Sequence, residues 1–157
     1  VLGRVAEGNG VIGVLPAPGG GDRDSEWWPA LAYTLTGDGD PGVRIIARLP
    51  FARRAGGPEP EMVAVARCER EASGDDRSYL LLFCRNEISR ASARQLLAAH
   101  AIEAEPVDAG KGLMLFDARG YVADDDPRLA GALAVPENPI ESIVVVGGYA
   151  TPLQLPA

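Results

Sequence analysis

An abrupt change from a strand pattern to a helix pattern constrains this chain more than any other feature. It occurs in "LLLFCRNEISRASARQLLAAH", from Leu80 to His100. The apolar run at its start is typical of a buried strand, whereas Ala93, Leu96, Leu97 and His100 have the three-four spacing of one buried helix face. Ser89 suits the N-cap of this helix, because its hydroxyl can accept a hydrogen bond from a free backbone N–H. The corner therefore presents a helix N-terminus directly after a strand.

The second half of the chain repeats this alternation. Strand patterns over residues 77–85, 102–110, 113–122 and 141–149 are separated by the helix after Ser89, a Gly-Lys-Gly turn and a second helix that begins near Asp126. The order β-α-β-β-α-β predicts an α+β fold of the ferredoxin-like type, with both helices on one face of a four-stranded antiparallel sheet. The other face needs a cover, either the N-terminal half or a second subunit, so we expect a homodimer.

The first half predicts a smaller α/β segment. Three apolar strand patterns, "VIGVLPAP", "VRIIARLPF" and "MVAVARCE", surround a short helix within "EWWPALAYTL". The polar stretch "REASGDDR" then separates this segment from the regular second half. We therefore predict two domains, residues 1–72 and residues 77–157.

The corner after the strand is the most promising binding site in the sequence. The positive end of the helix and its free N–H groups favour a carboxylate there, and polar and apolar side chains lie beside them. The predicted edge strand "EAEP" supplies a second wall, so that the two segments would clamp an amino acid. The alternative is that Ser89 only caps its own helix. The predicted ligand-binding residues are Asn86, Glu87, Ile88, Ser89, Ala104, Glu105 and Pro106.

Composition excludes several other classes of protein. The formal net charge of −7 argues against nucleic acid, whose phosphates require clustered basic residues. No apolar run approaches the length of a membrane span, and no charged region followed by an apolar stretch opens the chain. We therefore expect no signal peptide and a cytoplasmic protein without a membrane partner. Since the chain begins at Val1 and its first methionine is Met62, we also expect a fragment of a longer polypeptide.

The residues that usually carry metal or acid–base chemistry are few and scattered. Two separate cysteines, Cys68 and Cys84, and one histidine, His100, cannot supply an ordinary four-ligand zinc site. A triad of Ser92, His100 and Asp108 lacks the context of a nucleophile elbow. We therefore predict no catalytic residue, no metal and no cofactor.

Several motifs resemble the prephenate dehydratase family and its C-terminal regulatory ACT domain. The linker "ASGDDRSYLLLF" resembles the family's entry into the first ACT strand, and "ESIVVVGGYATP" resembles its last strand. "SRASA" and "EAEPV" stand where that family has its G-A-L and E-S-R-P phenylalanine motifs. "VLGRVAEGNGVIGVLPAP" more faintly resembles the dehydratase strand that ends in P-I-E-N-S. Glu61, Met62 and Val63 stand in place of the essential threonine motif.

This resemblance implies a ferredoxin-like ACT domain preceded by a degenerate part of a dehydratase lobe. It implies a non-catalytic module that binds phenylalanine or a related effector. Such a module would form the C-terminal part of a protein like chorismate mutase/prephenate dehydratase, in aromatic amino acid biosynthesis. Two alternatives remain open: a dimerisation module that binds no ligand, and an enzyme with residual prephenate dehydratase or chorismate mutase activity.

Overall fold

The computed structural model describes residues 1–8, 10–21, 23–35, 42–56 and 60–156. Short 3-10 helices occupy Arg23–Ser25 and Trp28–Tyr33. No helix in the described ranges is long and apolar enough to cross a membrane. The α-helices are α1 (Leu2–Glu7), α2 (Arg90–Ala99) and α3 (Pro127–Leu133). The strands are β1 (Ile12–Pro16), β2 (Val43–Leu49), β3 (Ala52–Arg54), β4 (Met62–Arg67), β5 (Asp76–Cys84), β6 (Ala104–Gly110), β7 (Leu113–Arg119), β8 (Ile140–Ala150) and β9 (Leu153–Leu155).

Strands dominate the architecture. Seven of the described strands form one mixed sheet in the order β1-β4-β2-β8-β5-β7-β6, and β3 pairs in parallel with β9 in a separate sheet. The chain divides into two compact units. Unit 1 comprises Val1–Asp76 together with Val146–Ala157, and unit 2 comprises Arg77–Val145.

The predicted fold class, a ferredoxin-like ACT domain preceded by a separate α/β segment, is wrong. The seven-stranded mixed sheet overturns it, because strands from both halves of the sequence belong to that sheet. The physical reason lies in β8, whose C-terminal part pairs in parallel with β2, with Ile45 opposite Gly147. A Cβ on Gly147 would lie 2.2 Å from the carbonyl oxygen of Ile45, so only glycine permits this approach.

In unit 1 the central strand is β4, which pairs antiparallel with β1 on one side and with β2 on the other. Its residues Val63 to Ala66 are all buried, so both faces of the strand are covered there. Helix α1 lies over Gly13 of β1, where a Cβ would meet Val1 and Val5 side chains at 2.6–3.0 Å. The larger buried side chains around β4 are Val5, Trp28, Leu31, Val43 and Ile45.

Unit 2 has its own apolar core beneath α2 and α3. Strand β7 pairs antiparallel with β5 and with β6, and the register places Phe83 opposite Leu113 and Gly110 opposite Leu113. Ala93 and Leu97, one helical turn apart, are buried in this core, as their spacing in the sequence predicts. The other two residues of the predicted face, Leu96 and His100, are only half-buried. The largest fully buried core side chains are Leu80, Leu82, Leu97, Ile102 and Phe116.

Candidate ligand-binding site

A pocket of about 690 Å³ lies in unit 2 between the strand-to-helix corner and the tip of the β6–β7 hairpin. We call it the corner pocket. Its volume falls within the range of small-molecule sites, about 300–1,000 Å³. It forms because β5 and β7 are neighbours, so that the end of β5 and the start of β7 lie side by side. The lining residues are Cys84 to Ser89 and Ala109 to Met114.

The backbone holds the corner on both sides. The N–H of Cys84 donates to the carbonyl of Gly112 at 2.7 Å, and the N–H of Arg85 donates to the carbonyl of Pro139, also at 2.7 Å. The first bond joins the corner to the hairpin, and the second joins it to the segment before β8. Main-chain hydrogen bonds therefore join the corner to both neighbouring segments of the chain.

Ser89 caps α2. Its Oγ accepts a hydrogen bond from the backbone N–H of Ser92 at 3.0 Å and bonds the Ser92 hydroxyl at 2.8 Å. The extended backbone of Ser89, with φ −71° and ψ 153°, is the conformation usual for an N-cap. This cap satisfies one of the four N–H groups that a helix start leaves free. Ser89 therefore both caps α2 and lines the corner pocket.

The hairpin opposite the corner depends on two residues with positive φ. Lys111 has φ 53° and Gly112 has φ 75°, which matches a tight hairpin turn whose twist follows that of its strands. Lys111 is the single lysine of the chain and lies exposed at the tip. Lys111 therefore adds an exposed cation to the pocket lining.

The pocket combines both signs of charge with an apolar surface. Arg85, Glu87 and Lys111 are exposed, whereas Ile88 and Met114 are partly or largely buried against the core. Burial raises the pKa of the Cys84 thiol, which therefore stays protonated at neutral pH and serves as an apolar wall. An arrangement of cation, anion and apolar surface suits a zwitterion with an apolar side chain.

The structure brings only part of the predicted site together. Asn86, Glu87, Ile88 and Ser89 all line the corner pocket. The second predicted segment, Ala104 to Pro106, lies elsewhere.

Ala104 and Glu105 border a different hollow, of about 430 Å³, which Arg77, Arg94 and Arg119 also line. Glu105 forms an ion pair with Arg94 at 2.7 Å, and both side chains are more than half exposed. Pro106 pairs with Phe116 just before a register shift in β6. The two predicted segments therefore do not form one clamp around the corner pocket.

Sequence reasoning missed the hairpin half of the pocket. The Gly-Lys-Gly turn is recognisable as a hairpin, but its place beside the corner follows from the pairing of β5 with β7. A period-two pattern identifies a strand without identifying its neighbour. In the part of the chain that the structure describes, no group of three or more His, Cys, Asp or Glu side chains could hold a metal ion.

Comparison with known proteins supplies a likeness in fold. No protein-family model matches the chain, and no curated protein matches it. Among solved structures, the chain resembles one titled "GqqA- a novel type of quorum quenching acylases", with a TM-score of 0.53 and 14% sequence identity. The match covers 96% of this chain and 77% of that chain. At this identity the likeness concerns the fold alone.

Proposed function

We propose that this chain is a non-catalytic regulatory module that binds a free amino acid, phenylalanine or a related effector, in the corner pocket. The observation that carries the proposal is the composition of that pocket: the N-cap residue of α2, two cations and one carboxylate surround a partly apolar floor. Binding would favour one conformation of the protein and so bias an enzyme joined to it.

Each part of a bound amino acid has a matching partner. The α-carboxylate is placed near the start of α2, where free N–H groups and the helix dipole favour a negative charge, with Arg85 and Lys111 close by. The α-ammonium is placed toward Glu87. The side chain of the ligand rests against Leu113 and Met114, which supply apolar surface.

The biological setting is proposed from the sequence motifs. The degenerate dehydratase-like segments before residue 72 and the "EAEPV" and "ESIVVVGGYATP" motifs suggest a protein of aromatic amino acid biosynthesis. We place the module in the C-terminal part of a protein related to chorismate mutase/prephenate dehydratase, as a cytoplasmic homodimer. A dimerisation module without a ligand is the main alternative.

A second candidate function is acyl transfer, suggested by the likeness to a solved structure whose title names acylases. The corner pocket contains two possible nucleophiles, Cys84 and Ser89. A nucleophile needs a neighbouring base or a lowered pKa. The pKa of Cys84 is raised by burial, and the Ser89 hydroxyl is engaged in capping α2. The pocket therefore supports binding better than acyl transfer.

Calorimetric titration of the chain with L-phenylalanine, L-tyrosine and L-tryptophan tests the proposal. We expect saturable heat for at least one of them, and flat titrations with all three would refute it. An assay for amine release from N-acyl amides tests the acyl-transfer alternative. Turnover that Cys84→Ala or Ser89→Ala abolishes would favour that alternative.

Two carboxylates serve as a matched pair for locating the site. Glu87 lines the corner pocket, whereas Glu105 lies outside it and pairs with Arg94. Because an exposed ion pair contributes about 0.2–1 kcal/mol, Glu87→Gln should weaken binding by up to about fivefold. Glu105→Gln should leave the affinity unchanged. Weaker binding by Glu105→Gln together with an unchanged affinity of Glu87→Gln would instead assign the site to the hollow beside Arg94.

A further inference from the structure

A further cavity, of about 520 Å³, lies within unit 1 and is not used by the proposed function. We call it the proline pocket. Its walls come from the end of β1 and the following loop, from Arg48 on β2 and from the start of β4. The lining residues are Pro16 to Gly20, Asp24, Ser25, Arg48 and Pro60 to Met62.

Main-chain and side-chain hydrogen bonds hold the apolar wall of this pocket. The N–H of Ala17 donates to the carbonyl of Glu61 at 2.9 Å, and the indole N–H of Trp27 donates to the carbonyl of Pro16 at 2.7 Å. Ala17 and Pro18 are buried. The proline segment is therefore fixed, and the Trp27 indole lies directly behind it as a natural reporter.

The charged wall is built around Glu61. One carboxylate oxygen of Glu61 pairs with Arg48, and the other pairs with Arg53 at 2.6 Å. Arg48 also donates to the Tyr149 hydroxyl at 3.0 Å, and its guanidinium carbon lies 5.3 Å from the centroid of the Tyr149 ring. The Arg48 guanidinium is thus held by Glu61 and by Tyr149.

Glu61 remains ionised in this setting. Burial is the largest single influence on the Glu61 carboxyl and opposes ionisation, but the hydrogen bonds and charges of Arg48 and Arg53 together outweigh it and lower the pKa. The chain's own carboxylate therefore occupies the position at which these two arginines would bind an external anion.

The remaining charge of the lining also disfavours an anion. Among the lining residues, the charged side chains are one guanidinium, Arg48, and two carboxylates, Asp24 and Glu61. A carboxylate that entered the pocket would face both carboxylates, while Arg48 is already bound by Glu61 and Tyr149. A cation gains little, because Arg53 also pairs with Glu61 and the two guanidinium groups balance the two carboxylates. An uncharged polar group meets no such repulsion, and Pro16, Ala17 and Met62 supply apolar contact.

From this geometry we propose that the proline pocket is a second ligand site, which accepts a compact uncharged molecule with an apolar body, and that Glu61 determines its selectivity against carboxylates.

Three probes of nearly equal shape test the role of charge: benzamide, benzoate and benzamidinium. Binding is followed by the ¹H–¹⁵N signal of the Trp27 indole at millimolar probe concentrations. We expect the unmodified chain to bind benzamide at least about tenfold more tightly than benzoate, since like charges at short range in a partly buried site repel strongly. Equal affinities for benzamide and benzoate, tighter binding of benzamidinium than of benzamide, or no shift of the indole signal with any probe would overturn the proposal.

Two substitutions should move the selectivity in opposite directions. Glu61→Gln keeps one acceptor oxygen for Arg48 or Arg53 and removes the negative charge, so benzoate affinity should rise by about tenfold. Arg53→Gln removes a compensating cation from behind the pocket, so benzamidinium should gain affinity instead.

The matched control is Glu7→Gln, which removes the same charge from an exposed position on α1 in the same unit. It should leave the order of the three probes unchanged. If Glu61→Gln fails to fold, the Arg53→Gln variant still tests the role of Glu61. An affinity for benzamidinium that does not rise relative to benzamide in this variant would contradict the proposal.

Discussion

Replacement of Ser89 separates helix capping from ligand recognition. In the structure a single hydrogen bond of 3.0 Å joins Ser89 Oγ to the N–H of Ser92. Loss of an N-cap acceptor typically costs about 0.5–2 kcal/mol, so we expect Ser89→Ala to lower the free energy of unfolding by about 1 kcal/mol. For a chain of this size, that change lowers the melting temperature by about 2–4 °C.

Ser89→Asp is the informative partner of that variant. Aspartate caps a helix as well as serine does, and its charge favours the helix dipole, so stability should stay within about 0.5 kcal/mol of the unmodified chain. The same carboxylate would stand in the wall of the corner pocket and repel the carboxylate of a bound amino acid. We therefore expect retained stability together with a loss of phenylalanine binding.

Urea unfolding followed by circular dichroism measures the first effect, and calorimetric titration with L-phenylalanine measures the second. Ser92→Ala is the control, because it keeps the backbone N–H that Ser89 accepts from and should change stability by less than about 0.5 kcal/mol. Undiminished stability of Ser89→Ala would refute the cap. Undiminished binding by Ser89→Asp would refute the place of Ser89 beside the ligand.

Two further predictions concern backbone approach and pH. Gly147→Ala should prevent folding of unit 1 or lower its stability by more than about 3 kcal/mol, since the new Cβ would meet the Ile45 backbone. The control Gly3→Ala has open space around the new Cβ and should be neutral or stabilising. Equal effects of the two substitutions in thermal unfolding would contradict the clash. The side-chain hydrogen bond from Arg128 is the main cause that lowers the pKa of Asp126, against an opposing effect of burial. A carboxyl whose pKa is lower in the folded chain than in the unfolded chain stabilises the folded chain at pH values above the unfolded pKa. The contribution of Asp126 to the free energy of unfolding should therefore disappear as pH falls below about 4. Asp126→Asn should flatten that part of a stability–pH curve measured with urea, and an unchanged curve would contradict the linkage.

Local features of unit 2 were predictable from the sequence because they depend on neighbouring residues. The apolar spacing of Ala93 and Leu97 gave the buried face of α2, and the hydroxyl of Ser89 gave its N-cap. The pair Asp126 and Pro127 likewise gave the start of α3, where Asp126 accepts a hydrogen bond from the N–H of Arg128. In each case the determinants lie within one or two helical turns.

The arrangement of the strands was not predictable in the same way. The parallel pairing of β2 with β8 depends on the absence of a side chain at Gly147, about a hundred residues along the chain from Ile45. A glycine in a strand pattern indicates a close approach without identifying the partner. The sequence therefore favoured two separately folded segments, whereas the structure joins strands of both segments in one sheet.

The candidate site was half predictable for the same reason. Asn86 to Ser89 follow from the local change of strand to helix, and the structure places them in one pocket. Lys111 and Met114 join that pocket through the pairing of β5 with β7. The Glu105 carboxylate could bind an α-ammonium group, but it lies outside the corner pocket and pairs with Arg94.

Titration of the ¹⁵N-labelled chain with L-phenylalanine, followed residue by residue in ¹H–¹⁵N spectra, tests the central claim most directly. We expect saturable shifts concentrated in Arg85 to Ser89 and Ala109 to Met114, the two walls of the corner pocket. Unchanged spectra, or shifts centred on Ala104 to Pro106, would contradict the assignment of amino acid recognition to this pocket.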